Sequence, residues 1–306
     1  MKIYNFLFLI VLILFFTNCD KAGCTDPEAC NFDMYAEEDD NSCRYLEEYF
    51  DCEGNCLNDS DDDNVCDEFE SFGCLDEEAI NYNPDATDNN GICVYSGLGV
   101  TDVDNNFYNS AIFGEQEWMI ENLKVTHYRN EDSISTGLTG SEWANLSNGA
   151  YSIYNNDPHN ATIYGNLYNW FSVEDDRNIA PEGWHIPTDE EFMELEIFLG
   201  MNELDALGTS WRGTDEGSKL KADTLWIYQY QSSTIKSGFE AIGGGVRFYF
   251  STELYLGLDY YCRFWSLSEG DTTLAWSREL SYNNTMVSRH LQYKQNGFSV
   301  RCVKDY

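Results

Sequence analysis

A cysteine-bearing segment occurs twice in the first third of this chain, and it constrains the fold more than any other feature. Gly23-Cys24-Thr25-Asp26-Pro27-Glu28-Ala29-Cys30-Asn31-Phe32 returns as Gly73-Cys74-Leu75-Asp76-Glu77-Glu78-Ala79-Ile80-Asn81-Tyr82, and the copies close alike on Cys43-Arg44-Tyr45 and Cys93-Val94-Tyr95. Segments this short and polar bury too little surface to hold themselves together, so cross-links must contribute, at about 2 to 5 kcal/mol each. The second copy has only Cys74 and Cys93, which are expected to pair; the repeat then assigns Cys24 to Cys43. Cys30, Cys52, Cys56 and Cys66 remain, and four cysteines leave three connectivities open.

Pairing needs an oxidising compartment, and the amino terminus supplies the route to one. Met1-Lys2-Ile3 leads into an apolar run from Phe6 to Phe16 and then Thr17-Asn18-Cys19, the order of a secretory signal. About 11 apolar residues are too few to span a bilayer, which takes about 20. Residues 1–18 are read as a signal peptide and 19–22 as an anchor region, followed by a stalk over 23–96 and a larger domain over 97–306. A cysteine in this place resembles the lipobox of bacterial lipoproteins, with Asn18 standing where Gly, Ala or Ser is usual. The resemblance implies a diacylated Cys19, export to the outer membrane or cell surface, and the membrane as a partner through the anchor, since more than one acyl chain holds stably. Zinc is the rival use of the cysteines, but the stalk has no histidine and no paired C-x-x-C knuckles.

The 54 acids outnumber the 17 bases, for a formal charge of −37, so the chain repels phosphate backbones and nucleic acid is not an expected partner. Part of that acidity is patterned. Asp59-Ser60-Asp61-Asp62-Asp63-Asn64-Val65-Cys66-Asp67-Glu68-Phe69-Glu70 places carboxylates at the first, third, fifth, ninth and twelfth positions of a calcium loop. Calcium takes oxygen ligands, and the loop offers Asp59, Asp61, Asp63, the carbonyl of Val65, Asp67 and a two-oxygen Glu70. Asn64 replaces the usual Gly, and Asn tolerates the left-handed turn required there. With no long helix flanking it, the loop looks like the calcium repeats of thrombospondin type 3, where ion and disulfides stiffen a spacer. A structural calcium ion in the stalk is the expected cofactor.

Past Ser96 cysteine thins out and short apolar stretches alternate with Asn, Asp and Gly turns, which predicts one α+β domain, loop-rich and with few helices. Thr188-Asp189-Glu190-Glu191 is a capping box before Phe192, Leu195, Phe198 and Leu199, with Gly200 as the stop. A shorter helix is expected over Glu216 to Ala222, and strands over Gly245 to Phe250, Phe264 to Leu267 and Phe298 to Val303.

Several segments resemble, in order, the Fibrobacter succinogenes major paralogous domain family of secreted and surface proteins in Bacteroidetes-like bacteria. They include Glu117-Trp118-Met119-Ile120-Glu121-Asn122-Leu123, Tyr164-Gly165-Asn166-Leu167-Tyr168-Asn169-Trp170, Pro181-Glu182-Gly183-Trp184-His185-Ile186-Pro187-Thr188 and Asn296-Gly297-Phe298-Ser299-Val300-Arg301-Cys302-Val303, and the match spans about Val100 to Lys304. The resemblance implies a fold similar to C-type lectins and formylglycine-generating enzymes, although neither activity follows from the fold. The Glu-Pro-Asn, Gln-Pro-Asp and Trp-Asn-Asp tripeptides of a lectin sugar site are missing. Cys262 and Cys302 are read as a disulfide tying the last strand to the sheet.

Four histidines without H-E-x-x-H give poor support to a metal hydrolase, and His185 reads as a structural loop residue. Aromatic rings are the better material, because a sugar face stacks on an exposed ring while Asn, Asp and Gln take its hydroxyls. Trp143, Trp211, Trp226, Tyr228 and Tyr260 lie outside the most family-like segments and are the candidate ligand residues. The expectation is a non-enzymatic extracellular binding or adhesion module for a polysaccharide or a surface protein. A polymer-modifying enzyme and a purely structural envelope protein are the alternatives.

Overall fold

The structure, a computed structural model, describes residues 21–60, 62–227, 236–250 and 254–306. Residues 1–18, read as a signal peptide, and Cys19, Asp61 and Tyr228 lie outside the described residues. The chain divides after Glu70 into two compact units, inside the stretch read as one stalk.

The first unit is mostly loop, held by Cys24–Cys43, Cys30–Cys52 and Cys56–Cys66. The two pairings read from the repeat are present, with Cys74–Cys93 in the second unit, and the four cysteines left open are now assigned. Both copies build the same scaffold: Ala22–Gly23 pairs in parallel with Glu38–Asp39, as Phe72–Gly73 does with Asp88–Asn89. Asn31 Nδ2 donates to the Ser42 carbonyl at 2.8 Å, and Asn81 Nδ2 to that of Ile92 at 2.7 Å. The asparagine thus closes the loop that each disulfide cross-links.

The second unit holds two larger sheets. Strands β1 (Val94–Ser96), β2 (Ser110–Phe113), β3 (Gln116–Met119), β4 (Trp184–His185) and β11 (Val303–Lys304) form one, in the order β4-β11-β3-β2-β1. Strands β5 (Ser210–Arg212), β6 (Gly244–Arg247), β7 (Tyr255–Leu258), β8 (Tyr261–Glu269), β9 (Leu274–Ser281) and β10 (Val287–Tyr293) form the other, in the order β5-β10-β9-β8-β6-β7. Its pairings are antiparallel except β6 with β8. Because β1 follows Cys93, the second repeat copy supplies an edge strand, and its Ile92 and Val94 enter the core with Phe113, Trp118, Phe192, Leu195, Phe239 and Phe264. A second core gathers Met119, Trp170, Trp184, Trp265, Phe298 and Cys302.

The capping box forms as the sequence predicts: Thr188 caps the helix Asp189–Phe198, with reciprocal bonds to Glu191. Gly200 follows at φ 109°, a conformation open to glycine. The helix buries Phe192 and Leu195, and also two carboxylates that meet arginines from the sheet. Arg278 reaches Asp189 at 2.6 Å and Glu196 at 2.8 Å, Arg212 reaches Glu196 at 2.6 Å, and Arg289 Nε donates to Asp189 at 3.0 Å. The shorter helix covers Glu216–Leu220. The strand expected over Phe298 to Val303 is instead an irregular segment with isolated bridges, Tyr168 to Phe298 and Phe264 to Ser299, and only Val303–Lys304 is a strand.

Loops in such a core need partners for their peptide groups, and buried asparagines supply them. Asn122 Nδ2 donates to the Tyr164 carbonyl and Asn166 Nδ2 to that of Lys124, each at 2.9 Å. Asn169 Oδ1 accepts the Ala150 amide at 2.9 Å. The expected Cys262–Cys302 disulfide is not formed: both are buried free thiols. Cys302 packs in the core of Trp265, while Cys262, like the neighbouring Val303, packs in the core of Trp118, so the two sulfurs lie in different cores. Burial pushes the Cys262 thiol up to about 12 and raises that of Cys302 as well, which keeps both protonated and inert.

Candidate functional site

The aromatic candidates separate by burial. Trp143 is fully buried, its Nε1 donates to the Gln295 carbonyl at 2.6 Å, and the Arg247 guanidinium lies 4.1 Å from its ring centre. Trp226 is buried too, with Nε1 donating to the Ala241 carbonyl at 3.0 Å. These two are corrected to core residues, since a ring already packed with its N–H satisfied offers no face to a ligand. Tyr260 stays exposed, edge-on to Tyr282 at 5.3 Å.

Trp211, half-buried on β5, is the candidate that the fold surrounds with chemistry. It stands opposite Ser288 on β10, Ser288 opposite Glu279 on β9, and Glu279 opposite Arg263 on β8. Directly opposed residues share a face, so the four side chains make one row. Three strand spacings of about 4.8 Å give that row a length of about 14 Å. Alternation along β10 adds His290 and Gln292 to the same face.

The row is electrostatically organised. Arg263 Nη2 and Glu279 Oε2 pair at 2.6 Å, which leaves the row's central charges balanced. Burial lowers the pKa of His290, Arg263 and Arg212 push the same way, and Glu279 opposes them. The imidazole is therefore neutral near pH 7, with one donor and one acceptor. The Ser288 hydroxyl is fully buried and, among the described residues, has no hydrogen-bond partner.

A second aromatic group, not singled out from the sequence, adjoins this face. The Arg263 guanidinium lies 5.5 Å from the Phe248 ring, Phe248 lies 5.7 Å from Phe250, and Tyr249 lies 4.9 Å from Phe250 and 5.2 Å from Tyr293. Asn296 joins the two regions, since Nδ2 donates to Gln292 at 3.4 Å and Oδ1 accepts the Tyr249 amide at 3.4 Å. Phe250 is 66% exposed and Tyr293 44%. Aromatic rings thus flank a strip of hydrogen-bonding side chains. Ser288, His290 and Gln292 were missed because their signal is the polar alternation of Val287-Ser288-Arg289-His290-Leu291-Gln292-Tyr293, which is legible only once that stretch is read as a strand.

His185 is more tightly held than a loop residue need be: Nε2 meets Glu191 at 2.8 Å and Nδ1 meets Asp305 at 2.7 Å. The Glu191 hydrogen bond, followed by Asp305, raises its pKa against the opposing effect of burial.

In the acidic loop, Asp59 accepts the amides of Asp63 and Asn64 at 3.1 Å, Asp63 accepts that of Val65 at 2.7 Å, and Asp67 accepts the Ser60 amide and hydroxyl at 2.7 Å. Asn64 has φ 71°, the left-handed turn expected of it. Among the described residues, which do not include Asp61, no cluster of three or more His, Cys, Asp or Glu side chains stands ready to hold a metal ion. The oxygen donors and the turn suit calcium, but the carboxylates here engage the backbone and Ser60 instead.

These features define a mixed helix-and-strand domain with few helices, preceded by an acidic, disulfide-bonded region. The description of the Fibrobacter succinogenes major domain matches residues 112–304, and the chain belongs to that family. No curated protein and no solved structure matches it.

Proposed function

We propose that this is a lipid-anchored protein of the bacterial outer membrane or cell surface whose larger unit, read as C-type-lectin-like, binds an extracellular ligand without catalysis. The ligand is a polysaccharide in the first place, with a surface protein as the other class. The reading rests on one observation: the half-exposed Trp211 stands on the same sheet face as the neutral His290 and Gln292, both partly exposed. A sugar needs this combination, a ring for its apolar face and fixed donors and acceptors for its hydroxyls. Paired charges in the row favour a neutral ligand over an ionic one. The acidic, cross-linked stalk carries the domain away from the membrane, stiffened by calcium at Asp59, Asp61, Asp63, Val65, Asp67 and Glu70.

Replacing Trp211 with Ala removes the stacking face, while replacing Gln292 with Ala removes a polar group from the same face. Retention on an immobilised polysaccharide that holds the parent chain is expected to fall about tenfold or more for Trp211→Ala, a loss of about 1.4 kcal/mol. Retention unchanged in both variants, with their melting curves intact, removes this face from consideration.

A further inference from the structure

We infer that the first repeat copy carries an open strand edge at Tyr45, which takes an extended, lysine- or arginine-bearing segment of a partner protein by β-strand addition. The second copy shows how such an edge is used. Leaving Cys93, its strand pairs antiparallel with β2, Val94 opposite Phe113, Tyr95 opposite Ile112 and Ser96 opposite Ala111. Val94 is held from behind, its amide donating to Asn81 Oδ1 at 2.9 Å and its carbonyl accepting the Ile80 amide at 2.8 Å. The Tyr95 hydroxyl donates to Asp76 at 2.7 Å.

The first copy holds the corresponding residues in the same way. The Arg44 amide donates to Asn31 Oδ1 at 2.7 Å, the Arg44 carbonyl accepts the Cys30 amide at 2.7 Å, and the Tyr45 hydroxyl donates to Asp26 at 2.8 Å. The peptide groups of Tyr45 are thus presented as those of Tyr95 are, and among the described residues no backbone group pairs with them. Tyr45 is 57% exposed. An unpaired edge of this kind is a template for another strand.

The side chains around the edge indicate which strand. Where the second copy has Ile92 and Val94 facing an apolar core, the first has Ser42 and Arg44, and the half-exposed Ile80 is replaced by Cys30. Cys30 is bonded to Cys52, and a cleft of about 490 Å³ opens there, its wall holding Tyr45, Phe50 and Arg44 together with three acids, Glu47, Asp51 and Glu53, so that the wall stays net negative. Carboxylates beside aromatic rings select a cationic side chain. Of the two basic residues between 21 and 70, Lys21 is already paired with Asp33 at 2.5 Å, and Arg44 stands in the cleft wall against the three acids there. A second copy of this chain is a poor source of the strand, because its 17 bases are diluted among 54 acids.

The test uses the full chain and two synthetic six-residue probes, one alternating Val with Lys and one alternating Val with Glu, read by fluorescence anisotropy at fixed salt. The Lys probe is expected to bind at least about tenfold more tightly than the Glu probe. Tyr45→Pro, which removes the strand amide, is expected to weaken the Lys probe by a similar factor with the four disulfides still formed by mass mapping. The double variant Glu47→Gln, Glu53→Gln keeps the backbone and is expected to lose the preference for Lys. Equal binding of the Lys probe to the parent and Tyr45→Pro chains shows charge attraction alone and overturns strand addition. Unchanged preference in the Gln double variant overturns the cleft's part in selection. A self-associated chain whose dimer dissociates on Tyr45→Pro assigns the edge to a second copy and overturns the partner.

Discussion

Removing the second repeat copy should cost the family domain much of its stability, although composition alone places the boundary after Ser96. Ile92 and Val94 are 7% and 0% exposed and pack in the core of Trp118 and Phe239. Ile80 fills the space over Gly238, where an added Cβ would stand 2.8 Å from its Cδ1. Burying a valine or isoleucine contributes about 1.5 to 3 kcal/mol, so Ile92 and Val94 together give about 3 to 6 kcal/mol, somewhat less against a compact unfolded chain. The bonds between β1 and β2 add about 1 kcal/mol each, and their loss leaves β2 as a bare edge. Against a total of about 5 to 15 kcal/mol, this is a large share. Urea unfolding of residues 71–306 and 97–306, followed by tryptophan fluorescence, measures the difference. The shorter chain should unfold at clearly lower urea or aggregate. Coincident midpoints with equal slopes would show that β1 is an ornament on the sheet and refute the reasoning.

Four further outcomes are expected. Asp189→Ala removes the buried carboxylate that Arg278 and Arg289 share, leaving Arg278 only Glu196 as a charge partner, and should destabilise by up to about 3 to 5 kcal/mol, measured by the same unfolding assay on the full chain. The folded pKa of His185 is raised, so its contribution is complete below the unfolded imidazole value and is lost as pH rises through the folded one. The melting temperature should therefore decline over that rise, and His185→Gln should flatten the decline. Cys262 and Cys302 should resist alkylation in the native chain and react after unfolding without reductant, whereas a disulfide would leave them unreactive. Chelation should lower the melting temperature of the stalk, with recovery on adding calcium; an unchanged melt rules the ion out.

What the sequence disclosed depended on whether a local rule determined it. The Thr188 box, the Gly200 stop, the turn at Asn64 and two of the disulfides each follow from residues close in the chain or from the repeat. Long-range packing was not legible. Cys262 and Cys302 looked like a pair because export favours pairing, yet they sit in different cores. Trp143 and Trp226 looked like loop aromatics because nothing local shows that Gln295 and Ala241 accept their N–H groups. The row from Trp211 to Arg263 draws on four strands, and only their register places those residues together.

The most direct test of the binding reading is to apply the purified full chain to a broad panel of glycans and insoluble polysaccharides, with and without chelator. Specific retention on a neutral polysaccharide is expected, lost on Trp211→Ala and kept on Trp143→Phe, which changes only a buried ring. No retention on any member of the panel, or retention indifferent to Trp211, would contradict it.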